Sequence, residues 1–108
     1  MARTNALTVV LTRDVADRYR GFLASVLAEI SPGVYIASNL TSGIRDRSWR
    51  VIEEWWNTSP GGSVIMVFSD RNAPSGMTVR TIGAPPISLV EVDGLYLAHF
   101  TLRPRGPH

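Results

Sequence analysis

Arg18 and Arg20, followed at once by Gly21, are the residues best suited to chemistry in this chain of 108. They stand in Arg18-Tyr19-Arg20-Gly21-Phe22-Leu23, near the start of a segment with helical apolar spacing. Arginine presents five N–H donors in a planar fork that suits phosphate oxygens. A glycine inside a helix costs about 1 kcal/mol relative to alanine, so its use points to a partner that needs close access to the backbone. Together the three residues suit a helix laid against a sugar–phosphate backbone. The same spacing fits plain surface decoration. Asp14 and Arg18 stand at i,i+4 and Asp17 and Arg20 at i,i+3, each with the acid N-terminal, as in exposed intrahelical ion pairs.

Other chemistry is sparse. All eleven basic residues are arginine, so every basic contact has the arginine geometry, while the net charge is only +2 and by itself points weakly to nucleic acid. There is no cysteine, hence no disulfide framework, thiolate nucleophile or cysteine-ligated metal, a composition that suits the cytoplasm. No apolar run approaches the roughly 20 residues that span a bilayer, and Met1 to Ala6 leads into a strand without a signal-peptide core. No phosphate loop, dinucleotide turn or zinc signature is present. His99 falls in a predicted strand and His108 in the tail, and the carboxylates are too scattered for one chain to build a two-metal nuclease site.

These residues must be positioned by a small α+β domain. Leu7 to Thr12 is a β-branched run that suits a central strand buried on both faces. Asp14 or Asp17 is placed to cap the next helix, whose stripe runs through Tyr19, Phe22, Leu23, Val26, Leu27 and Ile30 until Ser31-Pro32-Gly33 stops it. Val34 to Asn39 reads as a strand, with a kink or very short hairpin at Ala37-Ser38. Thr41 or Ser42 opens a second helix with Ile44, Ser48, Val51, Ile52 and Trp55 inward, and the flanking Trp49 and Trp56 read as core rather than as a base-stacking platform. Asn57 to Gly62 breaks it, Ser63 to Ser69 is a buried strand, Asp70 to Gly76 a hairpin loop, and Met77 to Ile82 a strand from which Arg80 projects. Gly83-Ala84-Pro85-Pro86 forces an extended linker, and Leu89 to Thr101 forms a strand pair around Asp93-Gly94. The expectation is a ferredoxin-like βαββαβ sandwich, two helices on one face of an antiparallel sheet, with a C-terminal hairpin extension. Residues 1–102 form the domain, and Arg103 to His108 a disordered tail.

An ordered set of residues resembles a known family. Thr12, Val15, Arg18, Arg20-Gly21, Pro32-Gly33-Val34-Tyr35, Ile44-Arg45 with Trp49, Asn72, Gly76, Thr81, Gly83 and Val92-Asp93-Gly94-Leu95 are spaced as in the CRISPR adaptation protein Cas-two, in its type I-E form, from about Leu7 to Phe100. The resemblance implies a ferredoxin-like homodimer joined through its sheets. It implies a place between two dimers of the Cas-one integrase, where the subunit holds a prespacer DNA duplex as scaffold and ruler. It also implies that Arg18 and Arg20 grip the duplex backbone, with Arg45 at a further basic position. Family members have been labelled metal-dependent endoribonucleases or endonucleases, in which a carboxylate at the end of the first strand holds Mg2+ or Mn2+ between protomers. The scaffold role needs no cofactor.

Two departures matter. The strand-end acid falls on Arg13, with Asp14 one residue along, and neighbouring strand residues face opposite sides. Asp14 can serve as catalytic or metal-binding carboxylate only if the strand ends or bulges there. The basic pair expected after Gly83 is replaced by Pro86-Ile87, so Arg80, Arg71 or Arg13 must supply that charge if it is supplied at all. The hairpin residues Leu89, Val90, Val92, Asp93, Leu95 and Leu97 are expected to contact the integrase and the second protomer. Outside the resemblance, a ferredoxin-like ligand-sensing or oligomerisation module is the remaining reading, because a fold does not fix a function.

Overall fold

The computed structural model describes residues 6–83, 88–92 and 95–99. The elements are β1 (Ala6–Arg13), α1 (Asp17–Val26), β2 (Ala28–Ser31), β3 (Val34–Leu40), α2 (Ser42–Thr58), β4 (Ser63–Ser69), β5 (Met77–Ile82), β6 (Ser88–Val92) and β7 (Leu95–His99). Five strands form one sheet in the order β2-β3-β1-β4-β5, with every pairing antiparallel. The order β4-β1-β3-β2 with two crossover helices is the ferredoxin-like arrangement, and β5 extends it by one edge strand. β6 and β7 form a separate two-stranded antiparallel sheet in the register Val92↔Leu95. Asp93 and Gly94, the 84–87 linker and the 100–108 tail lie outside the described residues.

The helix-facing side of the sheet holds the core. Val10, Tyr35, Val64, Met66 and Phe68 are buried there against Tyr19, Leu23 and Leu27 of the α1 segment and Trp49 and Ile52 of α2. Trp55 packs edge-on to Tyr19 at 5.3 Å and to Phe22 at 5.4 Å between ring centroids. Trp49 is thus buried in the core and Trp55 packs half-buried against it, as their spacing suggested, whereas the half-buried Trp56 lies outside this cluster and donates its Nε1 N–H to the Gly62 carbonyl. Thr41 is the N-cap of α2, its hydroxyl accepting from the Ile44 N–H at 3.3 Å, whereas Ile44 itself is exposed rather than inward.

Three expectations are corrected. First, α1 does not run to Ile30. It ends at Val26, and Ala28 to Ser31 pairs with β3 as β2. Leu27 is buried while Ile30 is exposed. Pro32-Gly33 is thus a hairpin turn and not a helix stop, and Gly33 has the positive φ of +80° that the third position of a type II turn requires. Ala28-Glu29 has no strand propensity to announce this. Hydrogen bonding to the exposed edge of β3 overrides the continuing helical period. Second, β1 is central but buried on one face only. Leu7 and Leu11, on the face away from the helices, are 49% and 40% exposed, since both helices lie on the other side. Third, neither Asp14 nor Asp17 caps α1. Ala16 is the N-cap and makes no side-chain cap, and Asp17 lies inside the first turn. The kink near Ala37-Ser38 is present as a register shift between Ala6↔Leu40 and Thr8↔Ala37, a β-bulge.

Candidate nucleic-acid interface

Residues two apart on an α-helix leave it about 200° apart, so Arg18 and Arg20 emerge on opposite flanks of α1. Arg18 turns toward α2. Its guanidinium lies 4.8 Å from the centroid of the Trp55 ring, and its Nη2 donates to the Trp55 carbonyl at 3.5 Å. Arg20 turns toward β2. Its Nε donates to Glu29 Oε2 at 3.1 Å and its Nη2 to Glu29 Oε1 at 3.5 Å. The intrahelical pairs with Asp14 and Asp17 do not form. Among the described residues the arginines have taken tertiary partners instead. Between them the outer face of α1 is small and exposed at Gly21 and Ala24. A Cβ on Gly21 would meet nothing within 4 Å, so nothing inside the fold calls for glycine at that position.

Glu29 is anchored from the other side by the Gly33 N–H, which donates to Oε2 at 3.3 Å. Desolvation works against its charge, but the Gly33 N–H and the Arg20 guanidinium outweigh it and hold the carboxyl below its ordinary range. Burial, then the Glu29 carboxylate, pushes the Tyr35 phenol up. The Tyr35 hydroxyl is buried within electrostatic reach of the Glu29 carboxylate, but no partner meets it in good hydrogen-bond geometry among the described residues.

Arg45 and Arg80 form a second group. Both guanidinium groups lie over the Phe68 ring, at 3.8 and 4.9 Å from its centroid. Both bind Asp46 Oδ1, at 3.3 and 2.9 Å. This group sits toward the N-terminal end of α2 and the Thr8↔Phe68 end of the sheet, whereas Arg18 lies against Trp55. Ten residues of α2, roughly 15 Å, separate them. The five arginines singled out in the sequence are thus not one patch. Arg18 and Arg20 flank α1, Arg45 and Arg80 tie α2 to the edge strand β5, and Arg13 is exposed at the end of β1.

The second group predicts an acid response. Desolvation opposes the charge on Asp46, but Arg80 and Arg45 together lower its pKa. The Asn72 N–H and then the Thr78 hydroxyl lower that of Asp70. A carboxyl with a depressed folded pKa binds fewer protons folded than unfolded, so its stabilisation is complete above the unfolded pKa of about 4 and is lost as pH falls through the folded value. The urea midpoint should therefore drop on acidification from about pH 5 to about pH 3, and less steeply in an Asp46→Asn, Asp70→Asn double variant. Equal slopes for the two proteins would refute this coupling.

The family model described as CRISPR-associated protein (Cas_Cas2CT1978) matches residues 7–97. The chain belongs to this Cas2 family. Its role lies in CRISPR adaptation, and the match runs from β1 through most of β7, across α1 and both arginine groups.

The end of β1 is where the resemblance to the Cas2 family implies a metal-binding carboxylate. The strand ends at Arg13, and Asp14 takes a left-handed backbone with φ of +55°, so the condition set for Asp14 by the sequence is met by the backbone. Gly62 and Gly83 close the same corner. A Cβ on Gly62 would overlap the carbonyl oxygens of Arg13 and Asp14, and one on Gly83 would overlap the Gly62 carbonyl, to which Trp56 Nε1 donates at 3.1 Å. Among the described residues no three His, Asp or Glu side chains come together as a metal site. With Arg13 a permanent cation at the matched position, the described residues at the end of β1 do not by themselves fit a divalent ion. Leu89, Val90, Val92, Leu95 and Leu97 all fall on the β6–β7 hairpin, where Val90 pairs with Leu97 and Val92 with Leu95. Asp93 lies outside the described residues. Among the described residues no helix is long and apolar enough to cross a membrane.

Sequence reasoning missed Glu29 and Asp46. With Glu29 assigned to a helix there was no reason to set it opposite Arg20. Asp46 is next to Arg45, but its contact with Arg80 spans 34 residues, and no local pattern announces it.

Proposed function

We propose that the chain is the DNA-binding scaffold subunit of a CRISPR adaptation complex of the type I-E form, bridging Cas-one integrase dimers and holding the prespacer duplex through its phosphates. Arg18 and Arg20 carry this reading. They straddle an exposed helix face at whose centre stands a glycine that the fold itself does not need. A phosphodiester backbone can approach that face and meet a guanidinium on either flank, and such contacts position a duplex without reading its sequence. Arg13 and Arg71 are exposed, so their charge is open to a phosphate partner. Arg45 and Arg80, already sharing Asp46, contribute less. The apolar sheet face bearing Leu7 and Leu11 with the half-buried Val9, Ile65 and Val67 supports dimerisation through the sheets, since an uncovered apolar face of this kind marks an interaction site. The β6–β7 hairpin, separate from the main sheet, supplies the surface for the integrase and the second protomer.

A metal-dependent endonuclease is the second reading, favoured by the early turn at Asp14. It would need two protomers to bring their Asp14 carboxylates together and would need Mg2+ or Mn2+. The scaffold role needs no cofactor. One reconstitution separates the two. Purified chain, Cas-one integrase and duplex DNA should co-elute as one complex that integrates the duplex, and Asp14→Asn should integrate about as well as the parent. Across a magnesium and manganese series the chain alone should leave single-stranded RNA and duplex DNA intact. Metal-dependent cleavage that vanishes in Asp14→Asn, or failure to co-elute, overturns the scaffold reading.

A further inference from the structure

We infer that Glu29 is a positioning residue for Arg20, gripping the guanidinium side-on so that its end-on pair of N–H groups faces an incoming phosphate. This rests on the reading of Arg20 as a duplex contact. A guanidinium has five N–H groups. The Glu29 carboxylate takes the Nε–H and one N–H of Nη2. That leaves both N–H groups of Nη1 and the second of Nη2, the edge that forms a bidentate fork with a phosphate. The Arg20 side chain is 59% exposed, so the fork is open to solvent while the ion pair stays intact.

The carboxylate is itself held by the sheet. Thr12 donates to the Gly33 carbonyl through its N–H at 2.7 Å and its hydroxyl at 3.1 Å. Gly33 donates in turn to Glu29. A Cβ on Gly33 would lie 3.0 Å from the Thr12 carbonyl oxygen and hydroxyl, so this turn is close-packed against β1. A continuous chain of hydrogen bonds thus runs from β1 through Gly33 and Glu29 to Arg20. An unpaired arginine carries about 2 kcal/mol of rotamer entropy, much of which must be given up on binding. Arg20 surrenders part of it in the free protein.

The opposite role, a carboxylate competing with phosphate for Arg20, uses the same atoms, and the sign of the coupling separates the two. Fluorescent duplexes of two unrelated sequences are titrated with the full-length parent, Arg20→Ala, Glu29→Gln and the double variant, at fixed salt. Glu29→Gln retains an oxygen to accept from Gly33, and equal thermal midpoints across the set exclude a folding defect. Removal of a repulsive charge appears equally with and without Arg20 and cancels in the cycle. Arg20→Ala is expected to weaken binding about tenfold in the parent background and about threefold in the Glu29→Gln background. Arg20→Lys, which cannot hold side-on and end-on partners together, should behave like the uncoupled pair. An equal loss in both backgrounds overturns the positioning role alone. A larger loss in the Glu29→Gln background overturns it in favour of competition. No loss in either overturns it together with the reading of Arg20 as a phosphate contact.

Discussion

Duplex affinity falls about a hundredfold or more when Arg18 and Arg20 are both replaced by alanine, a loss set by two charged hydrogen bonds of about 1.5–3 kcal/mol each. The loss is nearly the same for unrelated sequences, because phosphate contacts carry no base information. It is accompanied by a flatter salt dependence. Each phosphate no longer neutralised removes about 0.9 from the slope of log affinity against log salt. The fold should survive the change. The Arg20 side chain is mostly exposed and its pair with Glu29 lies at the surface, where such pairs contribute about 0–1 kcal/mol. Arg18 sits over a half-buried indole, a contact in the range of about 0.5–2 kcal/mol. The titration is therefore run beside a thermal melt, at several salt concentrations, with and without the integrase. Affinity and slope both unchanged, in a folded protein, would remove the arginines from the interface.

Gly62→Ala has the largest expected effect on stability. Gly62 has φ of +71°, and its absent Cβ would overlap the Arg13 and Asp14 carbonyl oxygens. The left-handed backbone alone costs a non-glycine residue about 1–2 kcal/mol. The overlap adds a packing cost of about 1–3 kcal/mol, because the atoms in the way are main chain and cannot swing aside like a side chain. A total loss of roughly 2–5 kcal/mol is expected, enough to lower the melting midpoint of a domain this size by about 10–20 °C. Gly21→Ala is the matched control. Its Cβ enters open space, so helix propensity favours it by up to about 1 kcal/mol. A melt in which Gly62→Ala is no less stable than Gly21→Ala would show that the β1–β4 corner can open at little cost.

Much of this protein was legible residue by residue. Where a local pattern and a local physical cause coincide, the sequence was sufficient. α2 has its Thr41 cap and its apolar stripe and forms where expected, running through Asn57 and Thr58 before the rest of the Asn57–Gly62 breaker ends it. The 70–76 loop has Asp70, whose carboxylate accepts from the Asn72 N–H at 3.0 Å, and β4 and β5 flank it as read. Arg18, Arg20 and Gly21 were conspicuous because arginine chemistry and the helix cost of glycine belong to the residues themselves.

What only the tertiary structure decided depends on pairing over distance. β2 exists because the edge of β3 offers hydrogen bonds to a segment whose own composition favours continuing a helix. That single strand moves Glu29 from a helix surface to the flank of Arg20 and so determines how the arginine is held. The sharing of Asp46 by Arg45 and Arg80 likewise requires β5 to be laid beside β4 and both beside the start of α2. Residue types and spacing specify which side chains can bind phosphate. The antiparallel register specifies which of them already have an acidic partner, because such pairs are joined by sheet hydrogen bonds between segments that are not neighbours in the chain.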